Sequence, residues 1–367
     1  MDGPRPVTPD ELPALRALAD SVFAPEDGSM FDRFPLVFRE DNADNLLVIE
    51  ENGVIVSHVA LLIRRVSLGG CRVRVACLGA VATDPAYRGR GLATELLGAA
   101  QRAARTGGAD YIMISGGLNI YRRLGATDVG VNMRTVVDSA CATALAQPDL
   151  TIETATDADL PRCDELYCMR QAHFIRSQQD WRIFRAGLYC QNRRATLYTL
   201  RRDNVVEGYI LISHPGADGL SYLLEWAGPA EIVAGGFSLA MGAVHAGGLH
   251  VELQPEDAEL MQLVAASGHP FEPAHTDDTV LIINMPDLYR ALEPYFQETI
   301  GVMDTERLSL ICYGDSYRFA IDGIVRESLT RPEAARLLFG HHDRPRTNDL
   351  LGEVFPIPHL WYGYNYV

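Results

Sequence analysis

The sequence has no C-x-x-C pair, and its seven cysteines, at positions 71, 77, 141, 163, 168, 190 and 312, are odd in number and scattered. That pattern excludes a disulfide or zinc framework and fits reduced thiols in a core, so no metal is expected. Positive charge is also short, with 32 Lys and Arg against 48 Asp and Glu and a net charge of −16. A field of that sign repels nucleic acid and anionic lipid and draws in cations such as amines. No apolar run reaches the length that spans a bilayer, and the N-terminal MDGPRPVTPDELPALRALAD lacks the charged-then-apolar plan of a signal peptide. A soluble, cytoplasmic protein without nucleic-acid or membrane partners is expected. At 367 residues the chain exceeds the size of a single core, so two or three domains are expected. A multidomain surface of this size also suits a homo-oligomer.

What is present begins with Thr8 and Glu11, placed as a capping box ahead of Leu12, Leu15, Leu18 and Val22 on one helical face. Two β-rich runs then flank Asn52-Gly53, the dipeptide of a tight hairpin. A strand at CRVRVACLGAVATD, a helix at GLATELLGAAQRAARTGG, a strand at ADYIMIS, a short helix at NIYRRLGA and a last strand at VNMRTVV complete a mixed α/β domain over residues 1–142. SACATALAQPDLTIETATDADL reads as a linker. Residues 149–285 then echo the same plan with a helix at DADLPRCDELYCMRQ, a hairpin, a strand at LSYLLEWAG and a helix at GGFSLAMGAVHAGG. This echo has Gly235 and Gly236 but no arginine beside them, so it reads as a structural copy without chemistry. Residues 286–367 form a third unit, with a helix, a hairpin, a helix capped by Thr330 and Glu333, and an aromatic end, WYGYNYV, too apolar to fray.

The stretch VATDPAYRGRGLATELL carries the strongest signal. A strand that runs into a glycine turn and then a helix aims free N–H groups and the positive helix end at one point. Gly89 and Gly91 let an anion approach the backbone, and Arg88 and Arg90 add charge, so a pyrophosphate is the expected ligand. The third position of the dinucleotide fingerprint G-x-G-x-x-G is Thr94, and no G-K-[ST] is present, so neither a Rossmann nor a Walker loop fits.

The stretch resembles the acetyl-CoA loop of the GCN5-related N-acetyltransferase superfamily, Gln/Arg-x-x-Gly-x-Gly/Ala after a V-A-V-x-P strand. Arg88, Gly89, Gly91 and Ala93 fit it in the close variant R-G-x-G-x-A. Thirty residues on, SGGLNIYRRLGATDVG resembles the family's Y-x-x-x-G motif through Tyr121 and Gly125. The resemblance implies that Val81, Ala82 and Thr83 present backbone groups to the pantetheine arm and acetyl carbonyl. It further implies that Arg88, Gly89, Arg90, Gly91, Leu92, Ala93 and Thr94 cradle the pyrophosphate, that Gly116 and Gly117 flank acetyl-CoA, and that Tyr121 is the general acid. The whole layout resembles the enhanced intracellular survival family of acetyltransferases: tandem domains of this type, the second degenerate, followed by a small α+β domain like sterol carrier proteins. That likeness makes the carboxylate of Val367 the candidate base.

The expected activity is acetyl transfer from acetyl-CoA to a small or medium cationic amine. No cysteine lies in either motif, so direct transfer in a ternary complex is expected rather than an acetyl-enzyme. His58 on the hairpin and His173 on a helix of the second copy read as structural histidines, and Glu50 and Glu51 as solvated. Phe23, Asp27, Phe31 and Phe34 could wall an amine site or pack on the sheet. Two other readings stand beside the enzyme: a CoA-binding sensor or scaffold, and a carrier of apolar ligands through the C-terminal domain.

Overall fold

The computed structural model describes residues 1–274 and 279–365. Where the local signals are strong, the backbone follows them. Asn52 and Gly53 take φ of +55° and +82°, as a two-residue hairpin turn requires. The Thr8 and Thr330 caps form, with the Glu11 and Glu333 carboxylates each accepting the N–H of the capping threonine at 2.8 Å.

The described chain divides into two compact units, residues 1–130 with 279–359 and residues 131–274 with 360–365. The first contains β1 (Asp2–Pro6), α1 (Leu12–Phe23), α2 (Met30–Arg33), β2 (Leu46–Glu51), β3 (Val54–Leu68), β4 (Cys71–Thr83), α3 (Leu92–Thr106), β5 (Tyr111–Ile114), α4 (Asn119–Arg123) and β6 (Thr127–Asp128). The second contains β7 (Asn132–Asp138), α5 (Ser139–Leu145), β8 (Thr151–Thr154), α6 (Leu160–Cys168), β9 (Ala172–Phe174), α7 (Gln178–Ala186), β10 (Tyr189–Cys190), β11 (Arg193–Arg202), β12 (Val205–Ser213), β13 (Leu220–Ala227), α8 (Ala230–Gly235), α9 (Phe237–Val244), β14 (Gly248–Leu253), α10 (Ala258–Ala266) and β15 (Glu272–Ala274). The chain then returns to the first unit with β16 (Thr279–Ile282), α11 (Met285–Ala291), α12 (Glu293–Ile300), α13 (Val302–Thr305), β17 (Leu308–Tyr313), β18 (Ser316–Ile321), β19 (Ile324–Thr330), α14 (Arg331–Phe339) and α15 (Leu350–Val354).

The strands of the first sheet run β1-β2-β3-β4-β5-β16-β6, and those of the second β10-β11-β12-β13-β14-β7-β15, with β8 on β11. Each contains one parallel pair among antiparallel neighbours: β4 with β5, and β13 with β14. The chain is thus a mixed α/β protein. No helix among the described residues is long and apolar enough to cross a membrane.

Three expectations need correction. The strand at 132–138, read as the last of domain 1–142, stands in the second sheet between β14 and β15. The strand β16, inside the span read as domain 149–285, stands in the first sheet between β5 and β6. The alternation of β7 and the wholly buried run of β16 each specify a strand but not its sheet, and a reciprocal exchange leaves no local trace. The segment read as a linker is ordered. Asp138 caps α5 by accepting the Cys141 N–H at 2.8 Å, and Cys141 and Ala142 are buried because residues this small pack closely against α8 and α9. Finally, of the residues read as a separate domain from 286 onward, 286–359 lie in the same compact unit as β1–β6 and 360–365 in the second unit. Arg336 Nε donates to Thr127 Oγ1 at 2.9 Å, and the Gly130 N–H to the Gly340 carbonyl at 2.8 Å.

Candidate functional site

The site starts with a strand that outruns its partner. Pairing of β4 with β5 ends at Leu78 with Ile114, where β5 stops, while β4 continues to Thr83. Val81, Ala82 and Thr83 therefore lie past the last β4–β5 pair, with one backbone edge released from the ladder. On the other edge the β3–β4 register shifts between His58 and Ala60, and Ala80 takes φ of +48°. A left-handed alanine costs about 1–2 kcal/mol and persists only where the surroundings impose it. The bulge bends β4 and re-aims its last residues. Ser57 Oγ lies 2.7 Å from Thr83 Oγ1 and 3.1 Å from the Ala82 carbonyl, holding the bent end on β3.

Past β4, Asp84 caps a turn over Pro85–Tyr87 by accepting the Ala86 N–H at 2.8 Å. Gly89 and Gly91 follow with φ of +77° and +81°, and Gly91 is the N-cap of α3. A Cβ at either would meet no protein atom within 4 Å. The backbone conformation is thus one that glycine alone adopts cheaply, in front of open space. The four N–H groups of the first turn of α3, which includes Leu92, Ala93 and Thr94, have no intrahelical acceptors, and the helix dipole adds positive potential there. Leu92 is buried and Thr94 exposed, so the turn is anchored on one side and open on the other. Arg88 Nε donates to the Thr83 carbonyl at 3.3 Å, tying the loop to β4. Arg90 lies over the Tyr87 ring at 4.6 Å and 3.7 Å from Glu51. These residues fit a pyrophosphate: backbone donors, two guanidinium groups and unobstructed space.

Tyr121 sits in α4 and is 7 % exposed. Its ring belongs to the cluster that includes Leu78, Leu92, Leu96 and Ile114, against which Val81 and Tyr87 also pack. The end of β4, the start of α3 and Tyr121 are therefore brought to one place. Gly116 is beside it, since a Cβ there would lie 3.6 Å from Tyr121 Cε2. The Gly116 carbonyl accepts from Thr279 Oγ1 at 3.0 Å, and that of Gly117 from Arg122 Nε at 3.3 Å. Val367 lies outside the described residues.

Sequence reasoning missed the group that holds α4. Asp128 accepts from Arg122 Nη1 and His341 Nε2, both at 2.6 Å, with Arg336 Nη2 at 3.4 Å. Burial alone would raise the Asp128 pKa, but the His341 and Arg122 hydrogen bonds outweigh it and hold the carboxyl well below the usual range. His341 is more than two hundred residues away in the chain, so only the fold reveals the contact. The other missed feature is the Ala80 bulge, for which an alanine gives no signal.

Several secondary candidates resolve plainly. His58 is fully buried, and burial lowers its pKa to about 3, so it is neutral. His173 lies on strand β9 rather than a helix, with Nδ1 2.8 Å from the Arg170 carbonyl. The helix stops at Cys168, short of His173, and the chain enters β9 at Ala172. Glu50 is not simply solvated, since Arg5 Nη2 donates to it at 2.8 Å. Phe34 is core, Phe31 stacks on Phe38 at 4.4 Å, Asp27 pairs with Arg33 at 2.8 Å and Phe23 is exposed. Among the described residues, His341, His342 and Asp343 have metal-like spacing, but His341 already uses Nε2 on Asp128 and Nδ1 on the Asp343 N–H.

Residues 4–128 match the family model for an acetyltransferase (GNAT) domain. No curated protein sequence matches the chain. The fold is similar to that of a GCN5-related N-acetyltransferase from Anabaena variabilis, with a TM-score of 0.65 at 15 % identity over 91 % of this chain and 89 % of that one. A GCN5-related N-acetyltransferase from Kribbella flavida gives 0.62 at 17 %, over 91 % and 87 %. Eis1 from Mycobacterium abscessus gives 0.59 at 12 %, over 92 % and 89 %. At such identities the likeness is one of fold, and it extends over both units. The chain thus resembles the GCN5-related N-acetyltransferases and Eis in fold, with the acetyltransferase domain itself matched over residues 4–128.

Proposed function

We propose that the chain is an acetyl-CoA-dependent N-acetyltransferase acting on a small or medium primary amine. The observation that carries this reading is the bulged end of β4, past its last pair with β5, leading through a short turn into two open, left-handed glycines ahead of α3, with Tyr121 packed into the same cluster. Acetyl-CoA supplies the activated thioester. The first turn of α3, with Arg88 and Arg90, binds its pyrophosphate, and a backbone N–H within 81–83 polarises the acetyl carbonyl. Tyr121 donates its phenolic proton to the departing thiolate sulfur as the C–S bond breaks and the C–N bond forms. The attacking nitrogen gives up its proton to a base, for which we put forward the Val367 carboxylate. The net charge of −16 favours approach of a cationic acceptor.

The test is release of free CoA thiol from acetyl-CoA against polyamines, aminoglycosides and lysine peptides, for the full chain and for one lacking Tyr366 and Val367. Amine-dependent release by the full chain, cut to a small residual rate on truncation, is expected. Acetyl-CoA binding without release toward any amine would favour the sensor reading, and equal release by both chains would move the base elsewhere.

A further inference from the structure

The second sheet repeats the geometry of the first and then fills it. Pairing of β13 with β14 ends at Tyr222 with His250, while β13 continues to Ala227, and the β12–β13 register shifts between Leu211 and Ile212. Into this opening comes the chain's own segment 360–365. Trp361 Nε1 donates to the Leu224 carbonyl at 2.6 Å, and the Tyr364 N–H to Glu225 Oε2 at 3.0 Å. Tyr364 stacks on Phe184 at 4.6 Å and 10°. Gly363 has φ of +48°, and a Cβ there would run into the Glu225 carboxylate.

The centre of this contact is a buried ion pair. The Arg176 and Glu225 side chains are 0 % and 2 % exposed, and two parallel bonds of 2.7 and 2.6 Å join them. Taking both charges out of water costs several kcal/mol per ion and is tolerated only when every remaining donor and acceptor is satisfied. Tyr209 Oη satisfies one Glu225 oxygen at 2.9 Å. The rest comes from the segment: Tyr364 N–H on Glu225, and the Asn365 side-chain oxygen, with its amide turned to suit, accepting from Arg176 Nε at 3.2 Å and Nη2 at 2.7 Å. The guanidinium face lies 3.8 Å from the Tyr167 ring centre. Without residues 364 and 365, the pair would be buried and incompletely bonded.

We infer that the second unit is a receptor for the chain's own C-terminal segment, and that Arg176 and Glu225 are positioning residues that hold that segment through residues 364 and 365. The place where an acyl carrier would lie in a copy with a working loop is used here to hold a peptide. In its consequence for turnover, this inference rests on the proposed role of the Val367 carboxylate; the docking itself does not.

The experiment compares the full chain with Gly363→Ala and Asn365→Ala by hydrogen exchange and by acetyl transfer, each also in a background lacking Tyr366 and Val367. Gly363→Ala is expected to speed exchange of the amides of residues 361–365 at least tenfold while β11–β13 keep their protection. It should lower kcat at least tenfold, leave the KM for acetyl-CoA unchanged and cost nothing further in the truncated background. Asn365→Ala should move the same quantities in the same direction by less. Unchanged exchange of 361–365, or equal acceleration throughout β11–β13, would overturn the receptor. A further kcat loss in the truncated background would overturn the positioning role. If the unaltered chain transfers acetyl to no amine, that failure falls on the proposed function, and the exchange result still decides the receptor.

Discussion

The two sheets contain the same device in two conditions. In each, a parallel strand pair stops early, a register shift bends the longer strand, and glycines precede a helix. In the first unit, Gly89 and Gly91 have positive φ and open space where a Cβ would stand. In the second, a Cβ on Gly228 would lie 2.7 Å from the Glu207 carbonyl, and one on Gly236 would lie 2.5 Å from Leu200 Cδ2. The first pair of glycines serves approach from outside; the second serves close packing inside. Glycine between a strand and a helix therefore signals a ligand cradle only when the space before it is open and donors converge there.

The sharpest way to break the comparison is Tyr121→Phe. If Tyr121 is the proton donor of the working unit, kcat falls by about 10² to 10⁴ while acetyl-CoA binding is retained, as read by thiol release and titration. Undiminished turnover would remove the distinction in chemistry between the two units.

Acid should separate the units next. In the first, burial lowers the pKa of His58 to about 3 and of His359 to about 4, below the value near 6.5 of an unfolded chain, while in the second burial lowers those of His173 and His250 by less. As pH falls through 6.5, the unfolded state takes up protons that the native state refuses, so stability drops with pH until the folded values are reached. Each imidazole should cost about 1.5 kcal/mol between pH 6.5 and 5. Trp181, Trp226 and Trp361 all lie in the second unit, so tryptophan fluorescence reports on it alone. On acidification the urea transition seen by circular dichroism is expected to shift to lower urea than that seen by fluorescence.

The glycines themselves give the smaller effects. Gly236→Ala should destabilise by about 1–3 kcal/mol, because the new methyl meets Leu200 and Ile210, and leave acetyl-CoA affinity unchanged. Gly91→Ala should destabilise by only about 1 kcal/mol, the cost of a left-handed alanine, yet weaken acetyl-CoA binding measurably. Gly242→Ala, on the exposed side of α9 with nothing near its Cβ, should stabilise by about 0.5–1 kcal/mol. Thermal or urea unfolding with a parallel acetyl-CoA titration checks all three.

What was legible in the sequence is what neighbours in the chain decide. The Asn52-Gly53 turn, the Thr8 and Thr330 caps and the loop from Arg88 to Thr94 are each set within a few residues, and each stands where its pattern places it. The reciprocal exchange of β7 and β16 was not legible, because the alternation of β7 and the wholly buried run of β16 would each suit either sheet. Nor was the Ala80 bulge, since alanine carries no signal for φ of +48°. Asp128 with His341, and Arg176 with Glu225 and Asn365, join residues far apart in sequence, so their partners are invisible until the chain is folded. The apolar end WYGYNYV did announce that it would be held down, but its receptor did not announce itself.

The measurement that bears most directly on the account is the stoichiometry of acetyl-CoA binding by titration calorimetry. The first unit has open glycines and donors, whereas the second has its opening filled by residues 360–365. One equivalent per chain, lost or strongly weakened in Gly91→Ala, is the predicted result. Two equivalents, or none, would contradict it.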